Sequence, residues 1–301
     1  MKMTVSVLPG APRVSRSIGA ILMDGGQLTP EDAERILRLQ KEHDLRFGEA
    51  AVRLGLLTEA DIQFALSRQF SYSYLRSSGD KKPVSDELVA AYQPFSPCVE
   101  QLRAIRSQLM LRWYDKSEQR KVLTVVGAER GEGRSYLAAN LAVVFSQLGE
   151  RTLLIDADLR TPRQHQLFHL ENRTGLSTVL SGRARDEAII RISDLASLYV
   201  LSAGPVPPNP LELLSRMNFD EFLIQVRSTF DIVIIDTPAL SAGEDAAMIA
   251  MRTGAALAVA RSTQTRVAAF TDMVQGLMNS GVAVVGSVLN EVPVNKKRGK
   301  R

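Results

Sequence analysis

Residues 122–148, VLTVVGAERGEGRSYLAANLAVVFSQL, join an apolar, β-branched run to an apolar-periodic helix through a turn built around Gly131 and Gly133. A buried strand that feeds a helix through such a turn belongs to an α/β chain with a mostly parallel sheet flanked by helices. Both glycines reach backbone angles closed to other residues, so successive N–H groups turn inward, and the helix beginning at Arg134 adds its positive end. The segment is a cradle for phosphate oxygens.

The cradle departs from the GxxxxGK[ST] pattern in two places. Ala128 stands where the first glycine belongs, which costs little if its φ is negative. Arg134 stands where lysine belongs, and a long planar guanidinium does not reach β- and γ-phosphates as a compact ammonium does. Ser135 keeps the hydroxyl that the pattern supplies to magnesium.

Two further runs have the composition of buried strands and end in acids: Thr152 to Asp156, followed by Asp158 and Arg160, and Phe230 to Asp236, followed by Thr237 and Pro238. In open parallel sheets ligands bind beyond the carboxyl ends of strands. Asp156, Asp158 and Asp236 are therefore expected to converge on the phosphate loop, where carboxylates hold magnesium directly or through its waters.

The series AERGEGRSYLAANLA, LLIDADLRTPRQHQLF, GLSTVLSG, GPVPPNPLELL and FDIVIIDTPAL resembles the bacterial tyrosine kinases of capsular and exopolysaccharide synthesis over residues 96–295. The resemblance implies a P-loop NTPase fold and ATP and magnesium as cofactors. Glu129, Arg130, Gly131, Glu132, Gly133, Arg134, Ser135 and Tyr136 match the nucleotide-binding stretch, and Asn290, ending VAVVGSVLN, matches an adenine-contacting position of related ATPases. It further implies Asp156 as base or orienter for the attacking phenol, Arg134 and Asp158 as its catalytic companions, and Ser135, Asp158 and Asp236 as magnesium ligands. Related partitioning ATPases carry a signature lysine five residues before the P-loop lysine; Glu129 stands there in this chain.

Glu100, Arg103 and Arg106 lie along one side of a helix, in a pattern similar to the ExxRxxR motif through which these kinases assemble. The other reading is an intrahelical ladder of charge pairs. The family's tyrosine-rich tail has no counterpart: no tyrosine follows Tyr199, and the chain ends in the basic run KKRGKR. The acceptor is then another tyrosine, such as Tyr72, Tyr74, Tyr92 or Tyr114, or another protein. The basic run is either a contact for anionic lipid or the membrane partner, or a solvated terminus.

The amino-terminal part is a tandem repeat, residues 17–40 against 46–69. Gly19 aligns with Gly48, Gly26 with Gly55, Thr29 with Thr58 and Gln40 with Gln69, each copy reading as a short helix, a glycine turn and a second helix capped by threonine. The repeat resembles the amino-terminal domain of type II secretion and pilus ATPases, which implies cyclic di-GMP binding through Arg16, Gly19, Gln40, Arg46, Gly48, Gly55 and Gln69. Ser17 replaces the arginine of the first copy, removing a bidentate partner, and a purely structural docking module stays open.

With 301 residues the chain holds one full α/β domain and a small helical one. The expected boundaries are a helical repeat domain at 1–75, a polar linker at 76–95, the P-loop domain at 96–295 and a basic tail at 296–301. The single cysteine, Cys98, forbids an intramolecular disulfide and suits a reducing cytoplasm. No signal pattern and no apolar run of bilayer length is present, so membrane association is expected to be peripheral. A net charge of +4 without an aromatic-interleaved basic stripe argues against nucleic acid. His165 and His169 read as an i, i+4 pair on a surface helix, without metal spacing.

The expected function is an ATP-dependent tyrosine kinase, a homo-oligomer working with a membrane-embedded polysaccharide co-polymerase at the inner face of the cell membrane, and governing polymer length and export. Two alternatives stay open: an ATP-binding regulatory scaffold, and a spatial-organiser ATPase that uses water as nucleophile.

Overall fold

The computed structural model describes residues 17–69, 74–75, 82–114, 120–195 and 197–291. The chain divides into two compact units, residues 1–73 and 74–301.

In the first unit, α1 (Ile18–Asp24) and α2 (Pro30–His43) form one repeat, and α3 (Phe47–Arg53) and α4 (Glu59–Gln69) the other. The repeats interleave: α1 packs on α4 and α2 on α3, around a core of Leu22, Leu28, Ile36, Leu57 and Ile62. Gly26 and Gly55 occupy equivalent positive-φ turns at +67° and +68°, as the alignment of the repeats requires. A Cβ on Gly19 would lie 3.2 Å from the Phe47 ring, and one on Gly48 2.9 Å from Ile62 Cγ2. These two glycines are positions of close helix packing.

The second unit opens with α5 (Val89–Tyr92) and α6 (Pro97–Arg112), followed by β1 (Val122–Gly127), α7 (Arg134–Ser146), β2 (Thr152–Asp156), α8 (Gln164–Leu167) and α9 (Leu176–Leu180). After them come β3 (Ile189–Arg191), β4 (Leu198–Leu201), α10 (Pro210–Ser215), α11 (Met217–Thr229), β5 (Ile232–Asp236), α12 (Asp245–Thr253), β6 (Ala255–Arg261), α13 (Val267–Asn279) and β7 (Ala283–Asn290). The sheet order is β3-β4-β2-β5-β1-β6-β7, and every pairing is parallel except β3 with β4.

Alternation along the central strands divides the core. Leu123, Val125, Leu154, Ile232 and Ile234 face α7, while Val122, Leu153, Ile155, Val233 and Ile235 face the layer holding α9 to α11. Strands buried on both faces read as continuous apolar runs, which is why β1, β2 and β5 stand out in the sequence.

The span 76–95 is not a linker throughout. Val84, Leu88, Ala90, Ala91 and Tyr92 are buried in the core that contains α7, and the segment is strapped to that helix. The Ala90 N–H donates to Asn140 Oδ1 at 3.0 Å, Asn140 Nδ2 to the Glu87 carbonyl at 3.0 Å, and Gln147 Nε2 to the Ala90 carbonyl at 2.9 Å. The polar run before Glu87 masks the short apolar stretch that does the packing. Tail residues 296–301 lie outside the described residues, as does Arg16.

Candidate functional site

The phosphate loop takes the form its glycines require. Gly131 and Gly133 have φ of +79° and +94°, and Ala128 is absent from the positive-φ residues, so its methyl adds no strain. α7 begins at Arg134 directly after Gly133.

The Arg134 guanidinium is folded back onto protein. It is 8% exposed; Nε donates to the Thr237 carbonyl at 3.1 Å, and Nη1 donates to the Glu129 carbonyl at 2.6 Å and to Glu132 Oε2 at 3.2 Å. Glu132 is fully buried, and its other carboxylate oxygen accepts from Thr265 Oγ1 at 2.6 Å. This ion pair occupies the space beside Gly127, where a Cβ would fall 2.3 Å from Glu132 Oε2. Arg134 therefore clasps the loop to the end of β5.

The turn between β6 and α13, with Thr263 at φ +63°, grips the loop from outside. Arg261 Nη1 donates to the Gly131 carbonyl at 3.0 Å and Gln264 Nε2 to the Arg130 carbonyl at 2.9 Å. Glu129, at the signature-lysine position, pairs with Arg266 at 2.8 Å. Asn290 Nδ2 donates to the Glu132 carbonyl at 3.0 Å and would contact a Cβ on Gly133 at 2.2 Å. Its amide hydrogens thus serve the loop backbone. The local sequence gives no signal for Arg261, Gln264 or Thr265; only the topology brings them to the loop.

Asp156 and Asp236 end β2 and β5 and are both fully buried. The Asp156 carboxylate accepts the N–H groups of Asp158 (3.2 Å), Arg163 (3.0 Å) and Gln164 (2.8 Å). Asp158 accepts the N–H groups of Arg160 and Thr161 and the Thr161 hydroxyl, which fixes the turn after β2. Asp236 Oδ2 accepts from Gln164 Nε2 at 2.8 Å, whereas Oδ1 is buried with no hydrogen-bond partner among the described residues. Burial pushes the Asp236 carboxyl up to about 6, opposed first by the hydrogen bond from Gln164 and then by the nearby Ser135 side chain. Burial first, and Asp236 second, push Asp156 well above the usual carboxylate range.

No group of three or more His, Cys, Asp or Glu side chains among the described residues is arranged to hold a metal alone. The oxygen set still fits magnesium. That ion uses one or two carboxylates and keeps waters and substrate phosphates as its other ligands, and the unpartnered Asp236 Oδ1 beside Ser135 offers such a carboxylate. Both Asp158 oxygens accept hydrogen bonds within its own turn.

Glu100, Arg103 and Arg106 share α6. Arg103 pairs with Glu100 and donates to the Tyr74 hydroxyl at 2.7 Å, and Arg106 donates to the Val144 carbonyl at 2.7 Å. His165 lies on α8, which ends at Leu167, while His169 has φ +51° outside it; the expected pair on one helix face does not form. Gln40, Arg46 and Gln69 lie on or at the ends of α2, α3 and α4, and Arg46 is exposed. No helix among the described residues is long and apolar enough to cross a membrane.

Residues 120–254 match a family model described as an AAA domain. A putative tyrosine-protein kinase in the cps region of Klebsiella pneumoniae is 35% identical over 259 residues, covering 85% of this chain and 35% of that protein. The chain thus spans about a third of that relative's length. The tyrosine-protein kinase YwqD of Bacillus subtilis is 36% identical over 209 residues, covering 69% of this chain and 87% of its own length. The kinase domain of Escherichia coli tyrosine kinase ETK superposes with a TM-score of 0.66 at 30% identity, covering 75% of this chain and 88% of that one.

Proposed function

The chain belongs to the bacterial tyrosine-protein kinases, and we propose that it transfers the γ-phosphoryl group of ATP to protein tyrosine in the control of exopolysaccharide chain length and export. The observation that carries this reading is the meeting of Ser135, Asp156 and Asp236 beside a phosphate loop, with one buried Asp236 oxygen left open.

In the transfer, the phenol oxygen forms a bond to the γ-phosphorus as the bond to the β,γ-bridging oxygen breaks, ADP leaves, and the phenol proton passes to base or solvent. Such transition states need positioning and charge neutralisation more than covalent help. The loop N–H groups from Gly131 to Ser135 hold the phosphates, and Arg134 keeps the loop in shape. Ser135, Asp158 and Asp236 would hold magnesium, which would supply neutralisation of the phosphate charge. Asp156 orients the phenol, which is neutral at pH 7 and loses its proton late.

The same reading makes the chain a homo-oligomer in which Arg103 and Arg106 exchange internal partners for a neighbour's. Its location is the inner membrane face, through a membrane-embedded polysaccharide co-polymerase. Cyclic di-GMP at Gln40, Arg46 and Gln69 is the finer proposal for the repeat unit; a calorimetric titration that is unaltered by Arg46→Ala and Gln69→Ala removes it.

Incubation with magnesium and γ-labelled ATP, followed by anti-phosphotyrosine detection, is expected to label the chain or an added acceptor, and Asp156→Ala to abolish the label. Phosphate release without labelled protein identifies an ATPase organiser. Nucleotide binding without either product identifies a scaffold.

A further inference from the structure

Gln164 touches more parts of the site than any residue the sequence points to. It is fully buried. Its Nε2 donates to Asp236 Oδ2 at 2.8 Å and to the Ser135 carbonyl at 3.1 Å, and its backbone N–H donates to Asp156 Oδ2 at 2.8 Å. The phosphate loop, the end of β2 and the end of β5 therefore meet at one residue. Chemistry fixes the orientation of the amide: both side-chain neighbours are acceptors, so only the NH2 group can face them and Oε1 faces away.

Among the described residues Gln164 Oε1 has no hydrogen-bond partner, and neither has Asp236 Oδ1. Buried acceptors are normally satisfied, and each exception calls for a donor or a cation. These two belong to side chains that bond each other. A hydrated magnesium ion answers both, because it takes a carboxylate oxygen directly and carries waters whose hydrogens need acceptors.

We propose that Gln164 is a positioning residue for magnesium: its NH2 group holds one oxygen of Asp236 so that the other faces the ion, and its Oε1 accepts a hydrogen bond from a metal-bound water. This rests on the kinase reading of the site. Removing such a partner weakens metal binding without touching the ligand itself. An amide with a purely structural role would affect folding and nucleotide affinity alike, with or without the ion.

The test is a titration of the full chain with a fluorescent ADP analogue, in EDTA and across a magnesium series, for the unsubstituted protein and for Gln164→Met, which keeps side-chain length but neither donates nor accepts strongly. The expected result is a magnesium affinity lower by roughly 10–100-fold, with binding in EDTA unchanged. Equal weakening in both conditions, or no change in either, overturns the proposal. If Gln164→Met does not fold, a structure of the unsubstituted chain with magnesium and ADP decides: a metal-bound water on Oε1 supports the proposal, and an Oε1 facing anything else sinks it. If the unsubstituted chain binds no nucleotide, the kinase reading falls as well; if it binds with magnesium dependence and the variant behaves identically, only the role of Gln164 falls.

Discussion

Asp156 and Asp236 stand opposite each other in the register of parallel strands β2 and β5, two buried carboxylates on adjacent strands with unequal surroundings. Three backbone N–H groups converge on Asp156, whereas Asp236 receives Gln164 on one oxygen and keeps the other unpartnered. The fold thus immobilises one acid and leaves the other available to a cation.

This asymmetry has a pH signature. The Asp236 carboxyl is raised from 3.8 to about 6 by burial, so between those values the folded chain binds more protons than the unfolded one. Stability of the metal-free protein should then fall as pH rises through that window, and Asp156, raised by burial and by Asp236, should carry the fall further. Magnesium needs the carboxylate, so its stabilising effect should grow over the same interval. Thermal melts between pH 4 and about 8, with magnesium or EDTA, measure both; a metal-free melting point that climbs through this range contradicts the assignment.

Arg134 and Glu132 form a buried pair, at 8% and 0% side-chain exposure. Truncating one partner strands the other, at a cost of about 3–5 kcal/mol. Arg134→Ala should destabilise the chain by that order. Arg134→Lys keeps the charge but loses the Nε bond to Thr237, for about 1 kcal/mol. If Arg134 were instead a free phosphate ligand, Arg134→Ala would leave denaturant unfolding of the nucleotide-free chain nearly unchanged.

The parts of this site that were legible in the sequence are those written in local pattern. β1, β2 and β5 read as unbroken apolar runs because both faces of the sheet are covered, and the terminal acids mark their carboxyl ends. The repeats read through matching glycines and capping threonines. What escaped depends on distant segments meeting. Gln164 looks like a polar surface residue of a short helix until β5 is placed beside β2. Thr265 and Gln264 look like an ordinary turn until β6 pairs with β1. The apolar stretch at 88–92 is hidden in the sequence because the polar residues before it dominate the composition, and its buried partner, Asn140, sits inside the apolar run of α7.

Gly127 ends β1 where no side chain fits. A Cβ there would lie 2.3 Å from Glu132 Oε2 and 2.8 Å from Arg134 Nη1, both held by other bonds. Gly127→Ala should cost about 1–3 kcal/mol through overpacking and weaken nucleotide binding by disturbing the clasp. In a double-mutant cycle with Glu132→Ala, the two effects should be strongly non-additive, because the second change removes the atom that the new methyl strikes. Additive unfolding energies would show that the two positions do not share this space.

The repeats of the first unit are built alike but loaded differently. Thr29 with Asp32 and Thr58 with Asp61 form matching helix starts: each hydroxyl accepts the N–H three residues on, at 3.1 and 3.3 Å, and each aspartate accepts the threonine N–H, at 3.3 and 3.0 Å. Asp61 also accepts Gln27 Nε2 at 3.1 Å, which ties the turn of the first repeat to the last helix of the second. Thr58→Ala should cost about 1 kcal/mol as a lost cap. Asp61→Ala should loosen α1 and the turn after it as well as α4, whereas Asp32→Ala should loosen α2 alone. Amide hydrogen exchange on the full chain reads each helix separately; equal and confined effects of the two aspartate changes would mean that the Gln27 bridge does not couple the repeats.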